Sequence, residues 1–399
     1  MSLTTSMFVH GFTPGIIHYG RGCISDIGQT LAENGLENAM IVCGQNIGAN
    51  ERLMTPVKEG LGDQLVGVFN ETTPVKSIET VFDGIDRANN LNADVLVAVG
   101  GGSSLDIATG ISLLAKDNRS LKDVQAEVQE TGTITLPEDS DQLLPMVPVP
   151  TTLAGADLSV AAGIIVPTNE GKTEVIVAHE DLMPTAFFYD PDLFDTTPMD
   201  VLAGSAINGF DKGIEAIYSR FANPMTDATA IRGLKYLRSS LPGLRETEDP
   251  AVIERAVLGI ILVQYGVSVP GAYKINIVHA FGHALRNQFG IQQGVAHAVI
   301  VPHALRLIFE EGGGRPEVLA EGLVTDPEPE NAEGAVVEAV TCIRDGLGLP
   351  KHLRDIDGVS REELRDAAKL TYEDDFLSMG PPNFNPSVDD IEEALQSAW

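Results

Sequence analysis

The sequence predicts an α/β domain over residues 1–195 and an all-helical domain over residues 196–399. Three observations carry that reading. In the first half, apolar strand-like runs alternate with helically spaced segments, which implies a doubly wound parallel sheet. After about residue 195, long helical stretches follow one another with no convincing strand between them. The chain has 399 residues, 43 % of them hydrophobic, with 40 Gly and 23 Pro, which supplies enough apolar mass for large cores. At roughly 100–200 residues per domain that length fits two domains.

Met40 to Cys43 reads as a short buried strand, Leu53 to Leu61 as a helix, and Leu65 to Phe69 as a second strand. From Ser77 to Asn90 the apolar residues Ile78, Val81, Phe82 and Ile85 keep helical spacing, with Ser77 placed to cap the first turn. Val95 to Val99 is a continuous Val-rich run, as expected of a strand buried on both faces. Residues 117–145 are polar, with Pro137, Glu138, Asp139 and Asp141, and predict a loop or weak hairpin; Met146 to Pro150 resumes as a strand. Helices are expected over about 199–219, 224–240, 250–266, 274–287, 296–311, 331–346, 360–371 and 387–397. Gly312 to Gly314 and the acidic stretch 325–334 read as surface connections.

The charge excludes several functions. Against 26 Lys and Arg stand 57 Asp and Glu, a net −31, and such a surface repels phosphate backbones and anionic lipid. No apolar run reaches the roughly 18 residues of a membrane span, and the opening MSLTTSMFVHGFTPG has neither the basic nor the apolar region of a secretory signal. Cys23, Cys43 and Cys342 are too widely spaced for a disulfide framework or a metal knuckle. A cytoplasmic location is expected. The acidity is spread along the chain and only 10 of the basic residues are Lys, which suits a salt-adapted (halophilic) protein, because salt screens the self-repulsion.

Two segments carry chemistry. Gly100-Gly101-Gly102-Ser103-Ser104 directly follows the buried strand, and helical residues including Asp106 follow it. Three glycines let backbone N–H groups approach a pyrophosphate at a helix N-terminus, and the two serines add hydroxyls. The spacing is not the ordinary GxGxxG fingerprint. Thr151 and Thr152, at the end of the next strand, are placed to face the same ligand. The second segment is histidine-rich. His279, His283, His297 and His303 fall within 25 residues, and the first two are i,i+4 on one helical face. Histidines packed between helices for structural reasons are the alternative.

GGGSSLD at 100–106, PTTLAGADLS at 150–159, the helix over 208–218, the HxxxH at 279–283 and the ending NFNPSVDDIEEALQSAW together resemble the iron-containing (group III) alcohol dehydrogenase family. The segment Ile17 to Gly22 is similar to that family's first strand. The resemblance spans nearly the whole chain. It implies the dehydroquinate synthase-like fold, with an N-terminal dinucleotide-binding α/β domain and a C-terminal helical domain. It also implies NAD or NADP as cofactor, an active site in a cleft, and a homodimer. Among the branches the sequence is most similar to maleylacetate reductase, through PTTLAGAD, the helix led by Asn208, and the run His297 to His303.

The departures from the family pattern are informative. Metal-dependent members hold a divalent cation with one Asp and three His. Those positions fall here at Asn208, Lys212, His279 and Gln293, so one ligand of four is kept. Neutral amides bind a divalent ion weakly and an ammonium repels it, so no tightly held iron or zinc is expected. Lys212 would then hydrogen-bond the reacting oxygen in the cation's stead, with His279 and His283 moving the proton and Asn208, Gln293 and Arg286 lining the substrate cleft. An ion pair of Lys212 with Asp211 or Glu215 is the competing reading. The family's Lys after the glycine turn is replaced by Thr109. The first strand exits as Cys43-Gly44-Gln45-Asn46 without an acid for a ribose 2′-hydroxyl, so NADP is permitted as well as NAD. Lys172 matches a family position near the nucleotide. Cofactor contacts are thus expected from Gly100, Gly101, Gly102, Ser103, Ser104, Asp106, Thr151, Thr152 and Lys172.

The expected function is hydride transfer between a nicotinamide and a small polar carbonyl, alcohol or maleylacetate-like dicarboxylate, without a metal. Lys212 and Arg286 are the cationic anchors in reach for an anionic substrate. Two alternatives stand beside it: a metal-dependent alcohol dehydrogenase using replacement ligands such as His279, His283 and Asp211, and a nucleotide-binding homologue without catalysis.

Overall fold

The computed structural model describes residues 8–399 apart from 138–142, 170, 270 and 312. The chain forms two compact units. An α/β unit comprises residues 14–152 and 156–197, and a helical unit comprises 8–13, 153–155 and 198–399.

In the α/β unit the order is β1 (Ile16–Tyr19), α1 (Ile27–Glu33), β2 (Ala39–Gly44), α2 (Gln45–Gly48), α3 (Glu51–Leu61), β3 (Leu65–Thr72), α4 (Ile78–Leu91), β4 (Val95–Gly100), α5 (Gly102–Leu114), α6 (Leu121–Thr131), β5 (Met146–Pro150), β6 (Ala161–Thr168), β7 (Gly171–Ala178), β8 (Ala186–Tyr189) and α7 (Pro191–Phe194). Strands pair in the order β3-β2-β4-β5, all parallel. The period-two alternation of the strands sorts the core into two layers. Met40, Val42, Leu96 and Ala98 pack with α4 and α5 through Ile78, Val81, Ile107 and Ile111. Ile41, Val95, Val97 and Val99 pack with α1 and α3 through Ile27, Leu53 and Val57. Each such side chain contributes roughly 1.5–3 kcal/mol on leaving water, which is why the sheet's centre needs no polar alternation. Ser77 caps α4 as expected, its hydroxyl accepting the Thr80 N–H at 3.3 Å.

Several elements of this unit depart from the sequence reading. Residues 121–131 are a helix, α6, rather than part of a loop or weak hairpin. Ser120 and Asp123 form a capping box at its start. Only Val124 and Val128, one turn apart, are buried on it, too thin an apolar stripe to stand out in the sequence. Glu138, Asp139 and Asp141 lie outside the described residues. The pair β6 and β7 forms an antiparallel hairpin in register from Ala161 opposite Ala178 to Thr168 opposite Gly171, and β8 pairs in parallel with β1. The first strand spans Ile16–Tyr19, shorter than the Ile17 to Gly22 segment that suggested it.

The helical unit contains α8 (Met199–Tyr218), α9 (Pro224–Ser240), α10 (Pro250–Gln264), α11 (Ile277–Phe289), α12 (Gln293–Glu310), α13 (Pro316–Leu323), α14 (Ala332–Gly346), α15 (Leu364–Glu373) and α16 (Val388–Ser397). Eight of these follow the sequence reading to within a few residues, and α13 is additional. Glycines let α8 pack with almost no separation from its neighbours. A Cβ at Gly294 of α12 would lie 1.9 Å from the Gly204 carbonyl oxygen, and one at Gly209 would lie 2.0 Å from the Leu153 carbonyl oxygen. Leu153 also donates its N–H to Ser205 Oγ at 3.0 Å. The short segment 153–155 is thereby seated on α8, and α8 carries the residues that matter next.

Candidate active site

The glycine turn sits at the carboxyl end of β4, inside the α/β unit. Gly100 has φ +133°, a conformation that side chains rarely adopt. Gly101 precedes α5 without a side-chain cap; the Ser104 N–H turns back to the Gly101 carbonyl at 3.0 Å, which leaves the Gly102 and Ser103 N–H groups for a ligand. A Cβ on Gly101 would meet Thr152 Cγ2 at 3.0 Å and Oγ1 at 3.1 Å, so the turn is open only because the residue is glycine. Thr151 donates its N–H to the Gly100 carbonyl at 3.0 Å and accepts Thr197 Oγ1 on its own carbonyl at 2.7 Å; its buried hydroxyl has no partner. These residues fit the pyrophosphate of a dinucleotide.

The remaining expected cofactor residues are dispersed. Ser103 continues the turn, half-buried. Ser104 turns inward, its hydroxyl 3.2 Å from Thr72 Oγ1. Asp106 places its carboxylate on the Lys76 ammonium at 3.0 Å, and Lys76 also reaches Glu174 at 3.1 Å, so Asp106 ties α5 to β7. Lys172 is exposed near the closed end of the β6–β7 hairpin.

In the helical unit, α8 carries Asn208, Asp211, Lys212 and Glu215 at the three- and four-residue spacing that places them on one face. Helix α11 brings His279 and His283, and α12 brings Gln293 and His297, each pair one turn apart. Lys212 is buried at 7 % exposure and donates from Nζ to the Gly155 carbonyl at 2.6 Å. The acids beside it serve the histidines. His279 Nδ1 lies 2.6 Å from Glu215 Oε2, and its backbone N–H donates to Glu215 Oε1 at 3.1 Å. His297 Nδ1 lies 3.0 Å from Asp211 Oδ2, at ion-pair distance but not aligned as a hydrogen bond. His283 Nδ1 lies 2.9 Å from Asp374 Oδ2. The His279 ring is 4.6 Å from that of His297 and 6.4 Å from that of His283, both edge-on. Three imidazole–carboxylate pairs thus stand side by side, with Lys212 on the helix that supplies two of the acids. Arg286 lies about two turns beyond His279 on α11, half-buried.

Burial sets the protonation of this cluster. It pushes the Glu215 carboxyl up to about 8, with the Lys212 charge opposing the rise. It drives Asp211 well above the usual carboxylate range, reinforced by Glu215. It drives His279 and His297 well below the usual imidazole range, helped by Lys212. Near neutral pH the Glu215–His279 pair therefore favours a protonated acid against a neutral ring.

A divalent cation does not suit this donor set. Asn208 offers a neutral Oδ1, buried without a partner; Gln293 sets Nε2 3.4 Å from His297 Nε2; and Lys212 brings an ammonium. His279, His283 and Asp211, the replacement ligands weighed from the sequence, belong to three separate imidazole–carboxylate pairs. Among the described residues, no three His, Cys, Asp or Glu side chains come together as a metal site requires.

The sequence reading named Lys212, His279 and His283 but not the pairing. It weighed Glu215 only as a partner for Lys212, and Asp211 as that or as a replacement metal ligand. Two acids in the largely apolar run Ala206 to Tyr218, beside Asn208 and Lys212, were the available signal, since buried acids need partners. Asp374, 91 residues beyond His283, gave none.

The glycine turn and this cluster occur in one chain whose halves each match a known family. Residues 14–191 match the family model described as iron-containing alcohol dehydrogenase, and residues 202–399 match that of the Fe-containing alcohol dehydrogenase family, C-terminal. The chain belongs to the iron-containing alcohol dehydrogenase family. It is an oxidoreductase by that membership. The chain is 27 % identical to the NAD-dependent methanol dehydrogenase of Bacillus methanolicus over 395 residues, covering 97 % of this chain and 99 % of the relative. The solved structure of a 1,3-propanediol oxidoreductase superposes with a TM-score of 0.86 at 22 % identity, covering 99 % of this chain and 100 % of that one. A maleylacetate reductase from Rhizobium sp. strain MTP-10005 superposes with a TM-score of 0.78 at 23 % identity, covering 99 % of each. The iron-containing alcohol dehydrogenase fold expected from the motifs is therefore the fold observed, and maleylacetate reductases stand among its structural neighbours.

Proposed function

We propose that this family member transfers hydride between a nicotinamide cofactor and a small polar carbonyl or alcohol without a metal, Lys212 taking the cation's part. One observation carries the reading. The ammonium of Lys212 stands where the family resemblance puts a metal ligand, is buried, and donates to the Gly155 carbonyl at 2.6 Å. A fixed, desolvated cation stabilises a developing alkoxide where a solvated one does not.

The glycine turn with Ser103 and Thr152 would hold NAD or NADP, and the nicotinamide supplies or receives the hydride. The chain must do the rest. Lys212 donates to the reacting oxygen, and Asn208 and Gln293 give it neutral polar neighbours. His279, backed by Glu215, orients a ring nitrogen toward the same chemistry. Glu215 passes its proton to Nδ1 or takes it back as the charge on the oxygen changes. Arg286, with Lys212, would anchor an anionic substrate such as a maleylacetate-like dicarboxylate. The same reading places this acidic, salt-adapted enzyme in the cytoplasm as a homodimer. No helix among the described residues is long and apolar enough to cross a membrane.

NADH and NADPH oxidation should be followed in molar salt against formaldehyde, 3-hydroxypropanal and maleylacetate. The expected result is turnover with at least one of them, and a fall of about 10²–10³ in kcat for Lys212→Met, the cost of one oxyanion donor, with dinucleotide affinity unchanged. Lys212→Met turning over as fast as the native protein would sink the reading. Dinucleotide binding with no turnover would favour the non-catalytic alternative.

A further inference from the structure

His279 and His283 share one face of α11, but their surroundings set them apart. The side chain of His279 keeps 6 % exposure and its partner Glu215 none, whereas His283 keeps 23 % and Asp374 19 %. The Asp374 carboxylate is fixed at both ends. Its Oδ1 accepts the Phe376 backbone N–H at 2.9 Å, capping the short turn Asp375–Met379, and its Oδ2 faces His283 Nδ1 at 2.9 Å. The Phe376 ring lies 5.2 Å from the imidazole, tilted by 47°. A cap alone needs no charge, since Asn or Ser serves as well. The charge is used where the second oxygen faces the imidazole.

We propose that Asp374 is a positioning residue for His283, and that this pair exchanges protons with solvent during turnover. The proposal rests on the carbonyl-reducing function proposed above. A carboxylate that receives the Nδ1 proton fixes one tautomer and leaves Nε2 as the acid–base nitrogen. Each carbonyl reduced takes a hydride on carbon and a proton on oxygen. His283 gives that proton from Nε2, its positive charge before transfer balanced by Asp374, and regains one from water. In the oxidation direction the same proton moves from the alcohol oxygen to Nε2 and then to solvent.

Asp374→Asn tests this without removing the cap. The amide oxygen can keep the Phe376 N–H, which leaves the amide NH₂ facing Nδ1 and inverts the tautomer. In protein carrying ¹⁵N-labelled histidine, neutral His283 should hold its proton on Nδ1 in the native chain and on Nε2 in Asp374→Asn, a readout that needs no substrate. With NADH and the best carbonyl of the three above, kcat should fall about 10²-fold with KM and NADH affinity unchanged, the scale of lost general acid–base catalysis. His283→Gln should lose as much, and the double variant no more than either alone. A native Nε2–H tautomer, or Asp374→Asn as fast as the native enzyme, overturns the positioning role. A native protein that reduces none of the three carbonyls overturns the function proposed above, and the proton-exchange role with it.

Discussion

A carboxyl group with no water around it holds its proton, and Glu215 is wholly buried, raised from 4.5 to about 8. The folded chain then binds more protons at this site than the unfolded chain does. The stability it contributes is complete below pH 4.5 and is lost as pH rises through about 8. Glu215→Gln stays neutral throughout, can still accept the His279 N–H, and offers an amide N–H to Nδ1. Its unfolding midpoint in urea should therefore fall less than that of the native protein between about pH 5 and 8. Parallel curves would show that Glu215 is ionised in the fold. Lys274 does not interfere in that window. Burial lowers it from 10.5 to about 8, so its penalty is relieved only as pH rises above that value. The legible part of the site in the sequence was the substitution pattern: an amide at 208, a lysine at 212 and an amide at 293. The pairing was not legible, because which acid meets which ring is decided by how α8, α11 and the turn after α15 pack.

At the scale of elements, α8 does two jobs at once. Its glycines admit neighbouring backbone, and its polar face carries the site. Gly209→Ala would drive a Cβ into the Leu153 carbonyl, 2.0 Å away, and shift the segment 153–155 that receives Lys212 Nζ. We expect about 1–3 kcal/mol of lost stability, the usual cost of overpacking, together with a lower kcat at unchanged dinucleotide affinity. An unchanged kcat would separate the lysine's role from its tether. The elements legible in the sequence were those with dense apolar faces: β2, β4, β5 and the long helices of the second half. Helix α6 escaped because its buried stripe is two valines wide. The β6–β7 hairpin escaped because its strands mix buried and exposed positions without strict alternation.

Across the whole molecule, a net charge of −31 opposes compaction at low ionic strength. Raising KCl from about 0.1 M to 1 M shortens the screening length from roughly 10 Å to 3 Å and should raise the thermal midpoint. A flat or falling midpoint would remove the salt-adapted reading of the composition. The two-unit architecture was legible from the change of pattern near residue 195, while the reassignment of residues 153–155 to the helical unit depends on contacts with α8 that no local pattern encodes. The central claim is that Lys212 replaces a metal within an iron-containing alcohol dehydrogenase fold, and metal removal tests it most directly. Carbonyl reduction would be measured before and after exhaustive dialysis against EDTA, beside a variant carrying Asn208→Asp, Lys212→His and Gln293→His. The account predicts that native turnover survives EDTA and that only the variant binds Zn²⁺ or Fe²⁺ in a calorimetric titration. Native turnover abolished by EDTA and restored by either ion would contradict it.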